Sequence, residues 1–189
     1  MSFAFNRHPE IEGKHAYLSA SKYHWIRYTP QKMAEVFHGY FAAEEGTALH
    51  DFAAHCIRMG KKLQKTKDTL NMYVNDAIDY GMKPEVPLYY TRNCFGTADS
   101  ILFENGVLRI HDYKSGTIQA HEEQLMIYAV FFCLEYDVNP RDIQIILRIY
   151  QNGERREFRP KPEVILDIME KAREFDQLIE DIRAEEVTA

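Results

Sequence analysis

Cysteine is scarce in this chain. Its three residues, Cys56, Cys94 and Cys133, are odd in number and far apart. Neither a disulfide framework nor a CxxC zinc knuckle can be built from them, and free, buried thiols are expected. Long apolar runs are also missing. No stretch approaches the roughly 20 residues that span a bilayer, and the opening MSFAFNRHPE lacks the apolar core of a secretory signal. A cytosolic protein without a membrane partner is expected. Positive charge is in deficit too: 23 Lys and Arg stand against 29 Asp and Glu, a net charge of −6. As a whole-chain figure this excludes a polyanionic partner, because phosphate contacts need basic side chains. The charge is not evenly spread, however. Residues 1–162 hold 20 basic and 20 acidic side chains, and residues 163–189 hold 3 and 9.

What is present suffices for a real core. A chain of 189 residues, 46% hydrophobic and 28% charged, folds by default as one compact domain and buries roughly 70% of the surface its unfolded form exposes. Residues 1–189 therefore read as a single domain. Its parts are a helical N-terminal stretch (1–82), a sheet with one helix (83–150) and a C-terminal helix (151–189).

Periodicity places the elements. Residues 1–19 read as an irregular arm ending at Ser19, a helix N-cap for Ala20–Arg27. Pro30 interrupts, a second helix runs through Phe41, and Gly46 opens a third from Thr47 to Met59. The apolar stripe of that third helix is Leu49, Phe52, Ala53, Cys56 and Ile57. A further helix around Leu70, Val74, Ala77 and Ile78 closes at Gly81. From Val86 the period changes to that of strands. VPLYYTR, GTADSILF and VLRIHDYK form an antiparallel meander, with a hairpin turn at Asn105-Gly106. An apolar helix from about His121 to Tyr136 follows, then a buried strand at 143–150 that turns at Asn152-Gly153. The last helix runs from Pro162 to about Ala184, with Val164, Ile165, Ile168, Ala172, Phe175, Leu178 and Ile179 inward. The fold class is α/β in the broad sense, an α+β sandwich with one central sheet covered by helices.

Chemistry concentrates in Gly96-Thr97-Ala98-Asp99 and Asp112-Tyr113-Lys114. Alternate side chains of a strand share a face, so Asp112 and Lys114 project together while His111 and Tyr113 project to the other side. With the turn at Asn105-Gly106, cross-strand partners have numbers summing to about 211, which sets Asp99 opposite Asp112. Two carboxylates side by side in a partly buried site need a shared proton or a cation. Hard divalent ions suit them, and such an ion polarises a phosphate and supplies hydroxide near neutral pH. Lys114 is then placed to position the attacking water or to stabilise developing negative charge. The DxK string does not stand alone, since Val107, Leu108 and Ile110 precede it as a core strand.

These residues resemble the PD-(D/E)xK nuclease superfamily, in its RecB-like branch. Four blocks occur in the order of that branch. Glu45-Gly46-Thr47-Ala48-Leu49-His50 is similar to its helical motif ending in histidine, and Gly96-Thr97-Ala98-Asp99 to its second motif. Asp112-Tyr113-Lys114-Ser115-Gly116 is similar to the third, and Gln124-Leu125-Met126-Ile127-Tyr128 to its QxxxY motif. Leu18-Ser19-Ala20-Ser21 with Trp25 and Pro30 resembles the N-terminal block of phage-encoded members. The resemblance covers roughly residues 15–150.

The resemblance implies a restriction-endonuclease-like core, a central mixed sheet whose antiparallel meander is flanked by helices. It implies His50, Asp99, Asp112 and the Tyr113 carbonyl as ligands of Mg²⁺ or Mn²⁺, and Lys114 as the catalytic lysine. Gln124 and Tyr128, at i and i+4 on one helix face, would line the site near the substrate backbone. Iron–sulfur members of the branch have a cysteine before the N-terminal proline and three near the C-terminus. Here Thr29 precedes Pro30 and no cysteine follows Cys133, so no iron–sulfur cluster is expected. His111 and His121 match no motif position and are read as structural.

The implied activity is that of a metal-dependent DNA nuclease, an exonuclease of recombination or DNA processing, phage-encoded in type and working in the host cytoplasm. Its partners would be single- or double-stranded DNA, with recombination or replication proteins as candidates. A structure-specific endonuclease of the same fold and a non-catalytic nucleic-acid-binding or assembly module are the alternatives. The basic run Arg58, Lys61, Lys62, Lys65 and Lys67 is the candidate path for the phosphates. A second series, Lys14, Lys22, Arg27 and Lys32, is interleaved with Tyr17, Tyr23, Trp25 and Tyr28, which could stack single-stranded bases. The acidic last helix is expected to lie away from that path.

Overall fold

The computed structural model describes residue 16 and residues 18–188. The arm before Ser19 therefore lies almost wholly outside the described residues, as do Lys14 and Tyr17. By its internal contacts the chain divides into two units, residues 1–43 and 44–189. In the first, Ala20–Arg27 forms a 3-10 helix with a non-helical Lys22 inside it. The Ser19 hydroxyl does not cap this helix; it hydrogen-bonds to the Ser21 hydroxyl at 3.0 Å.

Helix α1 runs unbroken from Pro30 to Arg58. The sequence reading of two helices separated near Gly46 is thus corrected. Ala42, Ala43, Glu44 and Glu45 are strong helix formers, and one interior glycine costs only about 1 kcal/mol against alanine. Gly46 has a different use: a Cβ there would stand 3.2 Å from the Ser115 hydroxyl. The buried arc of α1 is Ala53, Ala54, Cys56 and Ile57, whereas Phe52 is exposed. His50 lies one turn before Ala54, on the edge of that arc. Helix α2 spans Thr69–Tyr80, capped by the Asp68 carboxylate on the Asn71 N–H and closed by Gly81 in the left-handed conformation.

The sheet has five strands in the order β1-β2-β3-β4-β5. They are β1 (Lys83–Thr91), β2 (Cys94–Glu104), β3 (Val107–Lys114), β4 (Gln144–Gln151) and β5 (Glu154–Phe158). The hairpin register matches the sequence arithmetic, with Ser100 opposite His111 and Ile101 opposite Ile110. Strands β3 and β4 are parallel, so the chain must cross over between them, and helix α3 (Glu123–Glu135) makes that crossing. All other neighbours are antiparallel. Strand β5 escapes sequence reading because Glu154-Arg155-Arg156-Glu157 has no apolar alternation; it is an edge strand carried by the Asn152-Gly153 turn. Helix α4 spans Pro162–Thr188.

Two cores sandwich the sheet. Leu88, Ala98, Leu108, Ile110, Leu147 and Ile149 pack under α3 and the start of α4. On the other face Tyr113 and Tyr150 pack with Tyr73, Val74 and Ala77 of α2 and with Ala53, Cys56 and Ile57 of α1. The architecture is an α+β sandwich around a mixed, mostly antiparallel sheet, as expected. The apolar face of α4 is corrected: Ile165 and Met169 are buried, but Val164, Phe175, Leu178 and Ile179 are exposed. Cys56 and Cys133 are buried free thiols, while Cys94 is half-buried. Among the described residues no helix is long and apolar enough to cross a membrane.

Candidate metal centre

The centre forms where the β2–β3 ladder ends. Regular pairing stops at Ser100 and His111, and in place of the next ladder bond the Asp99 carboxylate accepts the Tyr113 N–H at 2.9 Å. Ala98 and Ile101 of β2 enter the same core although they are three residues apart, so the strand's alternation slips between them. Across from Asp99, between the pairs Pro84–Ser100 and Val86–Ala98, Glu85 takes a left-handed φ of 52°. The β1–β2 register is continuous here, so it sets the acids Glu85 and Asp99 of adjacent strands opposite each other.

His50 meets them from α1. Its Nδ1 lies 3.3 Å from Asp99 Oδ2, and its ring sits beside Tyr113 with centroids 5.3 Å apart. One donor atom each from His50, Glu85 and Asp99 lie within 4.8 Å of one another. The hydrogen bond to Asp99 raises the basicity of His50. Burial, then the charge of Asp99, raises the Glu85 carboxyl. The expected grouping of His50 with Asp99 is present, and Glu85 is the member that sequence reading missed. The signal available was an acid directly before the VPLYYTR run. The alternating pattern starts at Val86, whereas the strand itself starts at Lys83 and so takes in Glu85.

Asp112 stands beside this cluster and is 1% exposed. Lys114 Nζ contacts its Oδ1 at 3.1 Å, whereas its Oδ2 is buried with no hydrogen-bond partner among the described residues. Burial, and next the neighbouring Asp99 charge, push the Asp112 carboxyl up to about 7, against the opposing pull of Lys114. An orphaned buried carboxylate oxygen costs about 1–3 kcal/mol or more unless something pairs with it. The His50, Glu85 and Asp99 donors, with the unpartnered Asp112 oxygen beside them, suit a divalent cation.

Helix α3 supplies the remaining motif. Gln124 Nε2 donates to the Tyr128 hydroxyl at 3.0 Å. Burial raises the Tyr128 phenol, and the Asp99 and Asp112 charges add to that shift. A Cβ on Gly96 would come within 3.0 Å of the Tyr128 ring. The glycine of the GTAD block and the tyrosine of the QxxxY block are thus two halves of one contact.

The basic run divides. Arg58 ends α1, exposed, and its charge reaches Glu85. Lys61, Lys62, Lys65 and Lys67 are exposed in the connection to α2. Lys62 pairs with Asp79, and the connection is held by Asn75, whose side chain bonds both backbone groups of Leu63 at 2.8 and 3.1 Å. Trp25 belongs to the first unit, where its indole donates to the Ser19 carbonyl at 3.1 Å. There it lines an open cleft of about 240 Å³ with Lys22, Tyr28, Met33, Val36 and Tyr40. His111 is fully buried against Tyr80 and Tyr150; His121 is largely exposed, 4.0 Å from Glu123.

Residues 87–156 match a family model described as a protein of unknown function, DUF2800. The matched segment contains Asp99, Asp112, Lys114, Gln124 and Tyr128; His50 and Glu85 lie before it. Searches of curated proteins and of solved structures gave no match.

Proposed function

We propose that this chain is a divalent-cation-dependent deoxyribonuclease of the PD-(D/E)xK type, acting on DNA ends as an exonuclease in recombination or DNA processing. One observation carries the reading. Asp112 is buried beside the His50–Asp99 pair with one oxygen unpartnered, and Lys114 is its only side-chain hydrogen-bond partner, among the described residues. His50, Glu85, Asp99 and Asp112 would hold the ion. Bound there, a divalent cation neutralises phosphate charge and lowers the pKa of a coordinated water.

The chain's own groups do the rest. Asp112 fixes the Lys114 ammonium, which is partly exposed and free to orient the attacking water or meet charge developing on the phosphate. Gln124 and Tyr128, hydrogen-bonded to each other, present an amide and a phenol to the substrate backbone. Arg58 and the lysines that follow supply a positive approach, while the acidic surplus sits on α4. The main partners of α4 are α3, residues 140–142, and residues 91–93 through Asp176 and Glu180. An imidazole among the donors favours Mn²⁺ over Mg²⁺.

The test is a Mn²⁺ and Mg²⁺ titration on end-labelled linear DNA, single- and double-stranded, beside covalently closed circles. Cleavage of linear DNA alone, lost in Asp112→Ala and Lys114→Ala, is the expected result. Cutting of closed circles would make the protein an endonuclease. Tight binding that survives EDTA without any cleavage would make it a binding module.

A further inference from the structure

Gln151 is the last residue of β4, level with Lys114 on β3 in the parallel register, and is 6% exposed. A buried amide must be satisfied, and all of this one's bonds go to a single loop. Its Nε2 donates to the Gly116 carbonyl at 2.6 Å and to the Ile118 carbonyl at 2.7 Å, and its Oε1 accepts the Ala120 N–H at 3.0 Å. From β5, Arg156 donates to the Ala120 carbonyl at 2.7 Å. At the loop's start, a Cβ on Gly46 of α1 would stand 3.2 Å from the Ser115 hydroxyl. The segment directly after Lys114 is thus held by bonds from β4 and β5 and lies close against α1.

At the middle of this held loop the Ile118 side chain is 89% exposed, the most exposed of the large apolar side chains among the described residues. Its own carbonyl is one of those Gln151 grips, so the outward apolar tip is built into the fold. The run Ser115-Gly116-Thr117-Ile118-Gln119-Ala120 carries no charge and so does not repel a phosphate chain. Four residues from Lys114, Ile118 lies within about 14 Å of it along the chain, the rise of about four stacked bases.

We propose that Ile118 packs on a nucleobase within about four bases of the scissile phosphate, and that Gln151 is the positioning residue that holds it there. Apolar side chains, isoleucine among them, insert between base steps in this way. The ligand class is a base of the DNA strand undergoing cleavage, read by shape and not by hydrogen bonding. The inference rests on the phosphodiesterase reading of the neighbouring centre.

The experiment is an abasic scan. A set of single-stranded oligonucleotides, each lacking one base, is titrated by fluorescence anisotropy in Ca²⁺, and the same set is then cleaved in Mn²⁺. One abasic position weakens wild-type binding by about fivefold. Ile118→Ala and Gln151→Leu bind intact DNA more weakly by a similar factor, and they lose sensitivity to that position alone. Ile118 is too exposed for its truncation to affect folding, so Ile118→Ala decides the matter even if Gln151→Leu is unstable. If Ile118→Ala binds like wild type, or keeps the full abasic penalty, the proposal is wrong. Cleavage without that coupling overturns this inference alone; coupling without cleavage overturns the hydrolase reading and leaves of this inference only the Ile118–base contact. Absence of both binding and cleavage overturns both.

Discussion

The ring of Tyr128 occupies the space a side chain on Gly96 would need, 3.0 Å from where its Cβ would stand. Helix α3 thereby lies close enough to β2 for the Gln124–Tyr128 pair to face the carboxylates. Gly96→Ala forces the ring aside by a few tenths of an ångström, and Gly96→Val forces it further. If the proposed nuclease activity holds, Gly96→Val should lower cleavage by about tenfold or more, because a displacement near 1 Å costs up to about 100-fold in rate. Nearly unchanged cleavage by a folded Gly96→Val protein, checked by circular dichroism, would remove the Tyr128 ring from the site.

Asp112 makes the cation-free protein sensitive to alkali. Its carboxyl is raised from 3.8 to about 7, so the folded state binds the proton more tightly than the unfolded state. The stability this gives is full below about pH 4 and is lost as pH rises through about 7. His50, also raised, adds loss in the same direction above its ordinary value. His111, lowered by burial to about 3, works in the opposite sense and loses stability as pH falls below about 6.5. The difference between wild type and Asp112→Asn therefore isolates the carboxyl. In EDTA the variant should equal wild type near pH 4 and exceed it at pH 8 by of order 4 kcal/mol. Mn²⁺ should stabilise only the wild type. Melting temperatures across that range check both statements.

Away from the centre, α2 is tied to the sheet by Asp76. Its Oδ2 accepts the Tyr150 hydroxyl at 2.7 Å and faces Arg155 at 3.0 Å and Arg148 at 3.5 Å. Tyr150 is fully buried. Asp76→Ala leaves that hydroxyl with only the longer contact to His111 Nδ1, at 3.3 Å, among the described residues, and leaves Arg148, 12% exposed, with Glu157 as its remaining acid. The expected loss is about 2–4 kcal/mol in urea unfolding. It should come without change in cation affinity, because Asp76 is not a donor at the centre. A variant as stable as wild type would show that water replaces the carboxylate.

The hairpin arithmetic, the parity of Asp112 and Lys114 and the Gln124–Tyr128 pairing were all legible because each depends on spacing within one or two elements. Glu85 was not. Its place opposite Asp99 comes from the β1–β2 register, which shifts between Tyr89 and Thr91, and no turn signal like Asn105-Gly106 marks that register in the sequence. Gln151 was hidden for a related reason: a polar residue at a strand end reads as exposed until the loop it satisfies is seen. Strand β5 was masked by charge, being an edge strand with little apolar surface to bury. In α4 the 3.6-residue period marks an apolar face without saying what covers it, and the distal part of that face is exposed.

Helix α4 is where that distinction can be measured. Ile165 is fully buried against the sheet-side core and Met169 nearly so, while Leu178 and Ile182, two turns and more beyond, are 53% and 47% exposed. The distal half is held by polar contacts on another of its faces: Asp176 accepts from Thr91 at 2.7 Å and from Asn93 at 2.8 Å, and Glu180 pairs with Arg92. Burial sets the cost of truncation, so Ile165→Ala should lose about 2–4 kcal/mol. Leu178→Ala should stay within about 0.5 kcal/mol of wild type. Removing both anchors in Asp176→Ala/Glu180→Ala should fray the distal turns, seen as faster amide exchange beyond residue 176 with the global melting temperature little changed. A large loss from Leu178→Ala would mean instead that the distal apolar stripe is covered in solution, and the concentration dependence of that loss would tell self-association from folding within one chain.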